Sequence, residues 1–374
     1  MAHDLLQISW MAPVLLVVVE MCVGENTTSM PDDEFSTIDY DGYQQQCKKR
    51  DVRQFRSKFL PAMYGIICFV GLVGNGLVIL RYFHFKRLKT GTDYYMLNLA
   101  LADMLFLLTL PFWAVSVAQE WIFGNGVCKI IYCLYKMSFF CGMFLLMCVS
   151  IERYFAIVEA PSAHRHRSKT VLISKLSSVG IWVVAFFLSI PELIYSGVKE
   201  IDSMNVCIIF SDEIDSLNAK LKVSQMFFGF LLPLIIMSFC YSMIIKKLLQ
   251  ARNFEKYKAI KVIIVIVIVF VVFQLPYNSV MLIRTYSNIT LCETSKQMDI
   301  ADDVTYSLAC FRCCLNPFLY AIIGIKFRND LIKLFKDLGC VSKEKFGDWA
   351  STTKPSKRTS IALETTETTT TFSP

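Results

Sequence analysis

The chain has 374 residues, 55% of them hydrophobic and only 18% charged, with a formal net charge of +7 and a mean hydropathy of +0.48. A soluble domain carries about a quarter of its residues as charged side chains. The composition therefore excludes an ordinary water-soluble protein and points to a membrane.

Residues 1–24 contain one short apolar patch, "MAPVLLVVV" at 11–19, too short to cross a bilayer. Small residues follow at Cys22 and Gly24 and suit signal-peptide cleavage after Gly24. No Lys or Arg precedes the patch, so the pattern is imperfect, and an uncleaved disordered N-terminus is the alternative. Cleavage is preferred because a removed apolar patch needs no burial partner. Residues 25–57 form an extracellular N-terminus whose first part, 25–46, carries Glu25, Asp32, Asp33, Glu34, Asp39 and Asp41 and no Lys or Arg. Tyr40, between Asp39 and Asp41, and nearby Tyr43 are candidate sulfation sites. A flexible acidic segment attracts a basic protein and wraps it on binding, and a solvated tail is the bland alternative.

Seven apolar runs follow, at about 59–83, 94–118, 126–151, 171–194, 224–248, 259–284 and 300–324. Continuous apolar runs in lipid must bond their backbone internally, which means helices. The expected fold is an all-α membrane protein, a seven-helix bundle over 58–325. A short amphipathic eighth helix at 326–340 and a Ser/Thr-rich cytoplasmic tail at 341–374 follow it. Basic residues after the odd-numbered spans (Lys86, Arg87 and Lys89; Arg165, Arg167 and Lys169; Lys246, Lys247 and Arg252; Lys326 and Arg328) place those loops in the cytoplasm and the N-terminus outside. The sequons at Asn26 and Asn288 fall on the outer side, where glycosylation occurs. Of 14 cysteines, Cys47, Cys128, Cys207 and Cys292 lie on the oxidising side, and four cysteines allow three pairings.

Polar groups inside the spans are costly and usually functional. Asn75, Asp103, Gln274, Arg312, Asn316 and Tyr320 are such positions, with prolines at 111, 191, 233, 276 and 317. Asn75 and Asn316 could simply be packing glue. A lone carboxylate at Asp103 and a lone guanidinium at Arg312 each require a partner. "ERY" (Glu152, Arg153, Tyr154) closes the third run, where an interfacial anchor is the plain alternative.

Together, G-N at 74–75, L-A-x-x-D ending at Asp103, "ERY", Trp182, Pro233 with Tyr241, Pro276 and N-P-x-x-Y at 316–320 resemble the rhodopsin-like G-protein-coupled receptors, over about 60–325. "TLP" at 109–111 and "WIFG" at 121–124 are similar to the chemokine receptors in particular. The resemblance implies that Arg153 is held by acidic Glu152 at rest. Its release would open a groove for a G protein, with Tyr241 and Tyr320 as partners of the released state. It implies disulfides Cys47–Cys292 and Cys128–Cys207. It also implies a ligand pocket, for which Trp113, Tyr135, Lys136, Gln225, Tyr277 and Tyr306 are the candidates. Chemokine receptors often carry a Glu where Tyr306 stands, so acidic recognition is expected to pass to Asp302 and Asp303. Gln274 stands where most of the family has a Trp, and is expected to relay agonist contact by hydrogen bonding. Arg312 is expected to pair with Asp103 and replace the sodium ion that many members bind there.

The function implied is a receptor for basic CC chemokines of the homeostatic lymphoid type, in the plasma membrane. It would act through inhibitory G proteins on calcium and leukocyte migration. The alternative is a scavenging receptor that internalises ligand without a G protein. Receptor kinases and arrestin are the expected partners of the tail, where "ETTETTTTFSP" clusters hydroxyls beside acids. Membrane lipid is the expected partner of the amphipathic helix, with Cys340 as a candidate lipidation site. No cofactor, metal or nucleic acid is expected. No nucleophile–base pair suggests an enzyme, and no paired internal repeat suggests a transporter.

Overall fold

A computed structural model describes residues 47–85, 88, 90–159, 167–201, 203–210, 214–250, 256–287, 291–323 and 325–337. In chain order the helices are α1 (Arg50–Phe85), α2 (Gly91–Ala118), α3 (Gly124–Val158), α4 (Arg167–Leu188) and the short α5 (Ile190–Tyr195). A hairpin of β1 (Ser196–Ile201) and β2 (Met204–Ile209) follows. Then come α6 (Ile214–Met226), α7 (Leu232–Gln250), α8 (Lys256–Tyr286), α9 (Cys292–Cys310), α10 (Arg312–Ile323) and α11 (Ile325–Asp337). A π-helical turn, Phe227–Leu231, joins α6 to α7, just before Pro233.

Among the described residues, six stretches are long and apolar enough to cross a membrane: α1, α2, α3, 169–195, 217–250 and 267–286. The seventh expected span is α9 with α10, interrupted at Phe311. Lys296, Asp299, Asp302, Asp303 and Arg312 explain its weaker apolar signal. Three starts differ clearly from expectation. α1 begins at Arg50 rather than 59, α6 at Ile214 rather than 224, and α9 at Cys292 rather than 300. All three overhangs are polar, so hydropathy could not see them.

Local chemistry explains several boundaries. Thr90 and Asp93 form a capping box: the Asp93 N–H donates to Thr90 Oγ1 at 3.3 Å, and the Thr90 N–H to Asp93 Oδ2 at 2.9 Å. Gly124, with φ +80°, occupies the left-handed region at the start of α3.

The antiparallel hairpin is a departure from the all-α expectation. Its register pairs Val198 with Cys207. It is tied down by Cys128–Cys207, by the Trp121 N–H to Asn205 O at 2.8 Å, and by Asn125 Oδ1 accepting from the Val198 N–H at 3.1 Å. The second bridge, Cys47–Cys292, joins the approach to α1 with the start of α9. Both bridges are those the resemblance implied.

Large apolar side chains such as Phe69, Phe83, Leu176 and Ile235 are exposed on the outside of the bundle. In water such a surface would be a liability, whereas against lipid it costs nothing.

Candidate functional site

The centre of the bundle is built around a missing N–H. Pro317 cannot donate to the carbonyl one turn earlier, at Cys313. Asn75 Nδ2 supplies the donor instead, at 3.0 Å from Cys313 O, and also reaches Gly71 O at 3.0 Å. The approach is close: a Cβ on Gly74 would stand 3.0 Å from Pro317 Cγ. Beside it, Asn316 Nδ2 donates to Asp103 Oδ2 at 2.7 Å. Arg312 Nη1 lies 3.8 Å from Asp103 Oδ1, and neither of those two atoms has a hydrogen-bond partner among the described residues. Asp103 is 1% exposed. A Cβ on Gly142 would come within 3.2 Å of Arg312 Nη1, so glycine makes room for the guanidinium. Gln274, also buried, donates from Nε2 to Ala309 O at 3.3 Å, next to the break between α9 and α10.

Above this core the expected pocket residues come together. The Tyr306 ring meets Tyr277 at 5.4 Å, Tyr135 at 6.4 Å and Tyr64 at 6.4 Å, and Tyr135 meets Trp113 at 6.3 Å. Lys136 donates to Gln225 Oε1 and pairs with Glu192 Oε1 at 3.5 Å. Glu192 was not singled out from the sequence. It is 2% exposed, and its Oε2 has no hydrogen-bond partner among the described residues.

Asp302 and Asp303 face internal cations. Asp303 takes Arg56 Nε at 2.8 Å. Arg284 forks between Asp299 at 2.8 Å and Asp302 at 3.3 Å. Lys49 Nζ reaches Asp299 and Ser295, each at 2.7 Å. A ligand cation seeking these carboxylates must compete with Arg56 and Arg284. The network reinforces the Cys47–Cys292 bridge at the same rim.

At the cytoplasmic end, Glu152 and Arg153 form no ion pair among the described residues, which corrects the resting contact expected between them. The reason is helical geometry: adjacent residues point about 100° apart and do not face each other. Glu152 turns towards α2, where its Oε1 lies 2.7 Å from the place a Cβ on Gly91 would take. The N-terminal end of α2 is a favourable place for a carboxylate. Arg153 is exposed. Tyr241, its expected partner, hydrogen-bonds Ser150 at 3.0 Å within electrostatic reach of Arg153. The Tyr154 ring packs 6.2 Å from Phe239.

A seven-helix pattern with these landmarks is specific enough to compare with known proteins. Residues 74–320 match the family described as "7 transmembrane receptor (rhodopsin family)". The chain is 57% identical to the C-C chemokine receptor type 7 of Homo sapiens, covering 96% of each protein. It is 58% identical to that of Mus musculus over the same shares. With the C-C chemokine receptor type 9 of Homo sapiens it shares 42% identity over 91% of this chain and 93% of that one. The chain belongs to the C-C chemokine receptors of the rhodopsin family. Members of this family are signalling receptors rather than enzymes, and this one is a multi-pass protein of the plasma membrane.

Within this C-C chemokine receptor, Asp39, Tyr40, Asp41, Tyr43, Asn26, Asn288 and Cys340 lie outside the described residues, as does the Ser/Thr-rich tail. Tyr320 lies on α10. Besides Glu192, the sequence reading missed Tyr64 in the aromatic cluster, Ser150 beside Tyr241, and Lys49, Arg56, Arg284 and Asp299 in the ion network at the rim. Glu192 did carry a signal, as an acid at the end of an apolar run directly after Pro191.

Proposed function

We propose that the chain binds basic CC chemokines of the homeostatic lymphoid type and signals through an inhibitory G protein to calcium and leukocyte migration. The reading follows the names of its relatives, C-C chemokine receptors types 7 and 9. The acidic segment 25–46 would capture the folded body of the ligand, and its N-terminal segment would enter between Trp113, Tyr135, Tyr277 and Tyr306. Lys136, Gln225, Asp302 and Asp303 are the polar groups around that entry. Phosphorylation of the tail by receptor kinases would recruit arrestin.

The observation that carries G-protein signalling is the state of Arg153. Arg153 is an exposed residue at the cytoplasmic end of α3 and has no ion pair among the described residues, beside a Tyr241 already bonded to Ser150. An Arg in that state is available to a partner helix. A scavenger has no use for this arrangement, and an intact Glu152-Arg153-Tyr154 favours signalling over uptake alone.

The test is chemokine-triggered lowering of cyclic AMP in cells carrying this chain or its Arg153→Ala variant, with and without a toxin that blocks inhibitory G proteins. A toxin-sensitive response lost in Arg153→Ala, with surface level and ligand binding kept, is expected. Binding and uptake without any response in the parent would favour the scavenger.

A further inference from the structure

The amphipathic helix α11 was expected to lay its apolar face on lipid. Leu334 on its apolar face is fully buried, and Leu331 packs against the cluster of Val78, Tyr82 and Ala100 on α1 and α2. At the edge of that contact, Arg81 Nε and Nη2 both donate to Asp330 Oδ2, at 3.0 and 2.8 Å. Arg81 is 7% exposed and Asp330 2%. The Arg81 guanidinium also lies 5.0 Å from the Tyr82 ring.

Two charges withdrawn this far from solvent are tolerated only in good geometry. A guanidinium fork closing on one oxygen fixes both separation and rotation of the two helices. Apolar packing alone would let an amphipathic helix roll or slide. α11 starts at Ile325, directly after α10 ends at Ile323, and α10 carries Asn316, Pro317 and Tyr320. Whatever fixes α11 on α1 therefore also restrains the cytoplasmic end of the seventh span.

We propose that Arg81 and Asp330 are positioning residues. Their pair locks α11 against α1 and so sets where the end of α10 stands at the mouth that receives the G protein. Neither residue needs to touch the ligand. The signalling consequence rests on the G-protein reading above, whereas the positional consequence does not.

The experiment uses the full-length receptor with Arg81→Asp, Asp330→Arg and the double charge exchange. Probes on Lys333 and Phe83, both exposed, are introduced as non-natural residues because the chain has 14 cysteines. The distance distribution between them is measured in lipid without ligand. Each single reversal should broaden that distribution and lower chemokine potency for G-protein activation by roughly tenfold at matched surface level. The exchange should restore both.

An unchanged distance in the single variants would overturn the lock, and so would an exchange that restores neither readout. If a reversal is not exported, Asp330→Asn takes its place: a broadened distance supports the pair and an unaltered one rejects it. A parent receptor silent towards G protein would remove the signalling reading, while the distance measurement would still decide the lock.

Discussion

Arg312 Nη1 stands 3.8 Å from Asp103 Oδ1, at the centre of the bundle, with Asn316 Nδ2 donating to the other carboxylate oxygen at 2.7 Å. The seventh span thus supplies the counter-charge for the buried acid of the second. A sodium ion approaching Asp103 would meet the guanidinium and be repelled. Chemokine affinity should therefore be the same when sodium chloride is exchanged for choline chloride at constant ionic strength. A sodium-dependent shift in competition binding would refute the substitution. Arg312→Gln, which leaves Asp103 without its counter-charge, should destabilise the receptor by about 3–5 kcal/mol, read as a fall in thermal stability in detergent.

Gly74 makes the second prediction. An added methyl at this position would stand 3.0 Å from Pro317 Cγ and 3.2 Å from Pro317 Cβ. The proline ring cannot swing aside as a flexible side chain could, and Asn75 next door bonds the carbonyl that Pro317 leaves free. Gly74→Ala should cost about 1–3 kcal/mol through overpacking. Gly76, with open space around its Cβ position, is the control: Gly76→Ala should not lower thermal stability. Equal melting behaviour of the two variants would show that α1 can move away from α10.

Gln274 makes the third. Its side-chain amide spans from α8 to the carbonyl of Ala309, beside the helix break at Phe311. Gln274→Ala removes a link worth about 1 kcal/mol between the sixth and seventh spans. A change of about fivefold in chemokine potency is expected at unchanged surface level. Full retention of the ligand-driven response in Gln274→Ala would rule out a hydrogen-bonded relay at this position.

Much of this site was legible because it breaks local rules. Asn75, Asp103, Arg312 and Pro317 stand out in apolar runs, and an expensive residue in lipid announces a partner. The Asp103–Arg312 approach and both disulfides follow what the sequence and its resemblance implied. Partner choice was harder. Arg81 and Asp330 are 249 residues apart and each is unremarkable in its own loop-flanking segment. The hairpin at 196–209 is too short for its alternation to rise above loop. The Glu152–Arg153 expectation overlooked a geometric fact available from the start, that neighbours on a helix diverge. The polar overhangs of α1 and α9 were invisible to hydropathy, yet they carry Arg56 and Asp299, which with Lys49 just before α1 build the extracellular ion network.

Glu192 provides the last prediction. Lys136 is buried on α3, pairs with Glu192 at 3.5 Å and donates to Gln225, so three spans meet at one ammonium. Both charged groups are almost fully withdrawn from solvent. Removing one charge leaves the other uncompensated, whereas removing both is far less costly. Glu192→Gln should therefore lower receptor stability and chemokine potency, and Lys136→Met should do the same. The Glu192→Gln/Lys136→Met double variant should regain stability, because no buried charge is left. If it also regains potency, the pair serves only to hold the third and fourth spans together. If stability returns while potency stays low, the ammonium or the carboxylate meets the ligand directly. Additive losses of stability in the double variant would mean that the two groups do not act as a pair.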